Sequence, residues 1–82
     1  MALFVPHASL AKMLGATEVH SEAETVGDLL QEVRSRVSPE EWKQASRATV
    51  LLNGRNIYSL KGLRTRLRPP DEGWMVVPAA GG

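Results

Sequence analysis

The apolar positions of this chain change their spacing several times, and each change marks an element. Residues 2–6, ALFVP, carry apolar side chains at both parities and stop at Pro6. This predicts a short strand with both faces at least partly covered. Both phases fit so short a run: Leu3 and Val5 toward the core with Phe4 outside, or the reverse. Residues 8–14, ASLAKML, suit a turn or two of helix, and Gly15 stands where a left-handed C-terminal cap falls. Residues 17–21, TEVHS, are a second candidate strand, paired back on the first.

The main helix has the clearest pattern. Thr25 is a good N-cap with Asp28 three residues on. Val26, Leu29, Leu30, Val33 and Val37 then follow at helical spacing and make one apolar stripe. Ser38-Pro39-Glu40-Glu41 restarts a helix: Ser38 caps, Pro39 fits the first helical position, and Glu41 completes a capping box. This second helix covers about 39–46, with Trp42 as its only large apolar residue. Residues 48–52, ATVLL, read as a strand, Asn53-Gly54 as a tight turn, and Asn56-Ile57-Tyr58 as a short returning strand. Residues 59–73 are rich in turn formers, with Leu60, Leu63 and Leu67 expected to pin them to the core. Trp74-Met75-Val76-Val77 is the last strand, and Pro78 ends its ladder.

An early strand pair, a long helix and late strands predict the α+β class: one mixed sheet with one main helix packed across one face. The first and last strands would lie parallel at the centre, which is the β-grasp arrangement of ubiquitin. The domain spans 1–78, and 79–82 form a flexible C-terminal tail. On the last strand Met75 and Val77 are assigned to the core. Trp74 and Val76 then face outward, unless the second helix or a loop folds over Trp74.

Composition narrows the function. Eighty-two residues make one domain without cysteine, so neither a disulfide nor a thiolate metal site is available. No apolar run approaches the ~18 residues that cross a bilayer, and the N-terminus lacks the layout of a secretory signal. The expected compartment is the cytoplasm. Charge is uneven. Residues 1–45 carry four basic and seven acidic side chains, whereas 46–82 carry six basic ones and only Asp71 and Glu72. The basic half fits an acidic protein partner, nucleic acid or a plain solvated loop. Only Tyr58 and Trp74 offer stacking near it, which argues against nucleic acid.

No catalytic residue or metal ligand set is expected. His7 and His20 are single histidines, no P-loop or nucleophile elbow is present, and Glu40 and Glu41 are explained as first-turn residues. The ending Val76-Val77-Pro78-Ala79-Ala80-Gly81-Gly82 is different. A terminal pair of glycines fits a frayed tail, but it also fits chemistry. A carboxylate on glycine is unhindered once ATP converts it to an acyl-adenylate, and glycine admits backbone angles closed to other residues. Ala79, Ala80, Gly81 and Gly82 would form a thin strap able to enter an enzyme channel.

These residues carry a resemblance. The segments VLLNGRNI, LKGLRTRL and DEGWMVVPAAGG resemble the C-terminal half of the MoaD/ThiS sulfur-carrier family. The N-terminal SLAKMLG and TVGDLLQEV resemble that family less specifically. The resemblance implies that Gly82, made accessible by Gly81, is adenylated by a ubiquitin-activating-type enzyme that consumes ATP. It also implies conversion to a thiocarboxylate that donates sulfur to a biosynthetic partner. The chain itself would bind no cofactor and act as a carrier, not an enzyme. Ala79, Ala80, Val76, Trp74, Arg64 and Arg66 are the expected partner-binding residues, and membranes are not expected partners. Two positions depart from the family pattern: Pro70 replaces the usual glycine before the acidic pair, and Gly73 the usual apolar residue after it. Trp74 is also bulkier than usual.

The 38–48 segment with its extra helix resembles molybdopterin-synthase small subunits more than thiamine carriers. This points to molybdopterin biosynthesis, with the synthase large subunit as sulfur acceptor. The GLRTRL stretch also resembles carriers for cysteine, tRNA or secondary-metabolite thiolation. A ubiquitin-like modifier joined to lysine through Gly82 shares the activation chemistry and stays open, as does a small nucleic-acid-binding domain.

Overall fold

The computed structural model describes residues 1–77. These residues fold into five strands and three α-helices. They are β1 (Ala2–Val5), α1 (Ala8–Leu14), β2 (Val19–Ser21), α2 (Val26–Arg34), α3 (Pro39–Ala45), β3 (Thr49–Leu52), β4 (Arg55–Asn56) and β5 (Glu72–Val76). The strands form one mixed sheet in the order β2-β1-β5-β3-β4. β5 runs parallel to β1 and antiparallel to β3. The first and last strands therefore share the centre of the sheet, as the pattern predicted.

The caps explain where the helices begin and end. The Thr25 hydroxyl accepts from the Asp28 N–H, and Ser38 with Glu41 completes the expected box in both directions. Gly15 ends α1 at φ 71°, in the left-handed region, and its N–H donates to the Ala11 carbonyl. α1 also begins on an unexpected residue: Nδ1 of His7 accepts from the Leu10 N–H at 3.2 Å. With Nδ1 as acceptor, Nε2 carries the proton and donates to the Ala45 carbonyl, also at 3.2 Å. One neutral imidazole thus caps α1 and ties it to the end of α3.

The core lies between the sheet and the helices. Phe4, Leu10, Val26, Leu29, Val33 and Ile57 are its fully buried large side chains. Each such side chain contributes about 1.5–3 kcal/mol through burial. The phase of β1 is fixed here: Ala2 and Phe4 point inward, and Leu3 and Val5 are half-buried on the other face. Gly73 packs beneath Phe4. A Cβ there would lie 3.6 Å from Phe4 Cδ1 and 3.9 Å from Leu29 Cδ2. Both are ordinary van der Waals contacts, so Gly73 lies directly against Phe4 and Leu29 in the core.

β1 and β2 pair antiparallel with α1 between them, as expected. Several expectations need correction. β2 is shorter than 17–21. The returning strand after Asn53-Gly54 is only Arg55–Asn56; Ile57–Ser59 turn into a 3₁₀ helix. The Asn56 side chain accepts from the Tyr58 N–H, which curls the chain, buries Ile57 and leaves Tyr58 exposed. Val37 falls beyond α2, which ends at Arg34, and on α3 Ala45 is fully buried while Trp42 packs partly buried on the core. Leu60 and Leu67 do pack on the core, but Leu63 is 52% exposed. It sits on a second 3₁₀ turn, Gly62–Arg64, with its backbone against Gly27. Val77 is not a core residue: β5 pairing stops at Val76 opposite Thr49, and Val77 is exposed.

Candidate partner-docking face

β5 begins at Glu72, and its start is held from two sides. The Asn53 side chain donates to Asp71 Oδ1 and accepts from the Glu72 N–H, both at 3.0 Å. The Asn53 N–H donates to the Glu72 carbonyl at 2.8 Å. Asp71 closes the diproline turn, since its Oδ2 accepts from the Arg68 N–H at 2.8 Å and its own N–H donates to the Arg68 carbonyl. The turn with Pro70 in place of the family glycine is therefore well formed.

From this anchored start, alternation sorts the side chains of β5. Gly73 and Met75 turn toward the helices, while Glu72, Trp74 and Val76 turn away. Trp74 is 47% exposed and Val76 43%, so neither α3 nor a loop covers the tryptophan. The register extends this face across the central strands. Val5 of β1 and Leu51 of β3 both stand opposite Trp74, and Thr49 stands opposite Val76. A solvated antiparallel face normally alternates toward polar residues. Here Val5, Trp74 and Leu51 instead form an apolar row across three strands. Exposed apolar side chains grouped on one sheet face make this the candidate docking surface.

Arg64 and Arg66 belong elsewhere. The 62–64 turn packs on α2: a Cβ on Gly27 would lie 3.0 Å from the Leu63 carbonyl oxygen. Arg66 pairs with Thr25, the cap of α2, and its guanidinium lies 3.6 Å from Glu24. The sequence-predicted partner residues thus divide. Trp74 and Val76 share the open sheet face, and Arg64 and Arg66 lie on the helix side. Ala79, Ala80, Gly81 and Gly82 lie outside the described residues, as does Pro78. The His7 cap and the Asn53–Asp71 tie escaped the sequence reading. Histidine is not among the favoured N-caps, and Asn53 and Asp71 lie 18 residues apart.

The ThiS family model matches residues 3–82. The chain belongs to the ThiS family. This family of small ubiquitin-fold proteins comprises sulfur carriers and related modifiers. The chain is similar to the small archaeal modifier protein 1 of Methanosarcina acetivorans, at 26% identity and TM-score 0.79, over 99% of this chain and 95% of that one. It is also similar to a chain of the Amycolatopsis orientalis BexX/CysO complex, at 18% identity and TM-score 0.79, with both chains fully covered. A third likeness is to a putative molybdopterin converting factor, subunit 1, from Pyrococcus furiosus. It has 20% identity and TM-score 0.69, over 95% of this chain and 97% of that one. The last two likenesses establish the ubiquitin-like fold. No curated protein matches the chain. Among the described residues no helix is long and apolar enough to cross a membrane.

Proposed function

We propose that this ThiS-family chain is a sulfur carrier activated at Gly82. An adenylating partner joins the Gly82 carboxylate to AMP from ATP and releases pyrophosphate. A sulfur donor then displaces AMP and leaves a thiocarboxylate, which a second partner consumes. ATP belongs to the activating partner; the carrier binds no cofactor and catalyses nothing itself. The observation that carries this reading is the family match, which runs through Gly81 and Gly82. The apolar row of Val5, Trp74 and Leu51 supports it. Both partners need a place to hold the domain while the tail is in their site, and Val76 precedes Gly82 by only six residues.

Molybdopterin biosynthesis is the pathway we assign, with the synthase large subunit as acceptor. The 38–48 segment supports this, since it forms the extra helix α3 on which the resemblance to molybdopterin-synthase small subunits rests. The same reading puts the carrier in the cytoplasm beside its ATP-dependent partner. The test is co-expression with the cognate activating enzyme, followed by intact-mass measurement. The carrier should gain the mass difference between sulfur and oxygen, localised to the C-terminal peptide. An unchanged C-terminal peptide beside an active enzyme would overturn the assignment.

A second reading, protein modification through Gly82, is favoured by the likeness to a small archaeal modifier protein. Branched peptides linking Gly82 to a lysine would identify it.

A further inference from the structure

The basic residues of the C-terminal half are not spread over the molecule. Residues 53–70 hold five basic side chains, Arg55, Lys61, Arg64, Arg66 and Arg68, and no acidic one. All five are exposed. Of these five, only Arg66 has an ion-pair partner among the described residues, Glu24, and that pair is itself exposed. Asp71, the nearest acid in sequence, is already bonded to Asn53 and to the Arg68 backbone.

The fold then gathers three of these cations. Lys61, Arg66 and Arg68 line one shallow cleft, together with Leu60 and Thr65. The same segment borders a second cleft, where exposed Leu63 meets Leu30, Trp42 and Arg34. The backbone here is firmly held. The Thr65 hydroxyl donates to the Gly62 carbonyl and accepts from the Lys61 N–H, the Thr65 carbonyl accepts from the Val26 N–H, and the Leu67 N–H donates to the Glu24 carbonyl. These bonds fix the cations on a defined backbone rather than on a floppy loop. Because the segment packs on α2, it lies in the helix layer, behind the sheet face that exposes Trp74.

We propose that residues 60–68 form a second docking surface, for an acidic protein segment, on the side opposite the apolar sheet face. Charge complementarity names the occupant. Unpaired lysine and arginine over a small apolar floor suit clustered glutamates or aspartates with an occasional apolar residue between them. Single-stranded RNA is the other polyanion to consider, but it calls for stacking surfaces among the cations. Among the described residues Tyr58 is the exposed aromatic residue near them and lines neither cleft, and Trp42 in the second cleft is half-buried against the core. With its two surfaces in different layers, the carrier can be held by an acidic partner while its sheet face engages another.

The test uses the isotopically labelled full chain titrated with a decaglutamate peptide and, separately, with a decauridylate. Amide shifts should be confined to residues 60–68 and the start of α2, and binding should weaken as salt is raised above ~0.1 M, where the screening length falls below ~10 Å. The K61E/R68E double variant, which reverses the two unpaired cations of the cleft, should lose at least ~10-fold in affinity, since like charges would then face the peptide. K12E/K43E makes the same change in net charge at two exposed sites elsewhere and should leave affinity nearly unchanged. V76D should also bind decaglutamate normally, which separates this surface from the sheet face and from activation at Gly82. Melting curves check that every variant is folded. Equal losses in the two double variants would reduce the effect to net charge and overturn the proposal. Shifts on the β5 face, or tighter binding of decauridylate than of decaglutamate, would overturn it as well.

Discussion

Gly27 and Leu63 approach so closely that a Cβ on the glycine would lie 3.0 Å from the Leu63 carbonyl oxygen and 3.3 Å from its Cβ. Gly27 is the second residue of α2, where alanine normally improves a helix by up to ~1 kcal/mol. Here the neighbour is backbone, and it is held by the Thr65 bonds, so it yields poorly. Gly27→Ala should forfeit the usual gain and be neutral or destabilising in urea unfolding. Gly27→Val, which adds bulk to the same gap, should cost about 1–3 kcal/mol. A clear stabilisation by alanine would show that the 62–64 turn is not seated on α2.

Asn53 carries a larger share of the fold than its exposed position suggests. It holds φ at 52°, in the left-handed region, and its side chain joins the β3–β4 turn to Asp71 and Glu72. Asn53→Ala should lose about 2 kcal/mol, combining backbone strain of roughly 1–2 kcal/mol with exposed hydrogen bonds worth less than ~1 kcal/mol each. Asn53→Gly removes the strain and keeps only the hydrogen-bond loss, so it should cost about half as much. Equal costs for the two variants, by chemical denaturation, would assign the whole effect to the side-chain bonds.

These residues show where a sequence is legible. Thr25, Ser38 and Gly15 act through neighbours within four positions, so caps and helix starts can be read directly. The parallel pairing of β1 with β5 followed from element order alone. Ile57 and Leu63 misled the reading for one shared reason. Their surroundings are set by side-chain bonds and packing from elsewhere: Asn56 curls the chain at Ile57, and Gly27 receives the backbone of Leu63. Gly73 looked like a departure from the family pattern, and it is buried in van der Waals contact with Phe4 of another strand, which the local sequence does not reveal. The apolar face was half visible. Alternation put Trp74 and Val76 outward, but the Val5–Trp74–Leu51 row exists only through inter-strand register. The separation of Arg64 and Arg66 from that face was not legible, because it depends on which layer receives the long β4–β5 connection.

The Gly-Gly tail supplies the next prediction. Deleting Gly82, or appending one residue after it, should abolish ATP–pyrophosphate exchange with the cognate activating enzyme. The melting temperature should be unchanged, because among the described residues the buried core ends at Met75. Gly81→Val should be nearly as damaging, because a branched Cβ narrows the strap and removes backbone angles open to glycine. Normal exchange by the truncated chain would remove Gly82 from the chemistry.

Val76 offers the sharpest test of the sheet face. It faces away from the core on the central strand, stands opposite Thr49, and is 43% exposed, so a polar replacement leaves the core packing intact. Val76→Asp should therefore keep most of the folding stability. At an interface the same carboxylate must be stripped of water against apolar atoms, and an unpaired buried charge is costly. Binding to the activating enzyme should weaken by more than ~2 kcal/mol, the usual mark of a hot spot, or roughly 30-fold in Kd. Val76→Ala removes two methyl groups without adding charge and should lose less. Trp74→Ala, at the centre of the Val5–Leu51 row, should match or exceed the aspartate variant, since a large aromatic side chain is the commonest anchor of such surfaces. Calorimetric titration of the three variants, each checked for a normal melting curve, gives the order. An unchanged Kd for Val76→Asp in a folded protein would mean that the partner docks elsewhere and that this apolar row has another purpose.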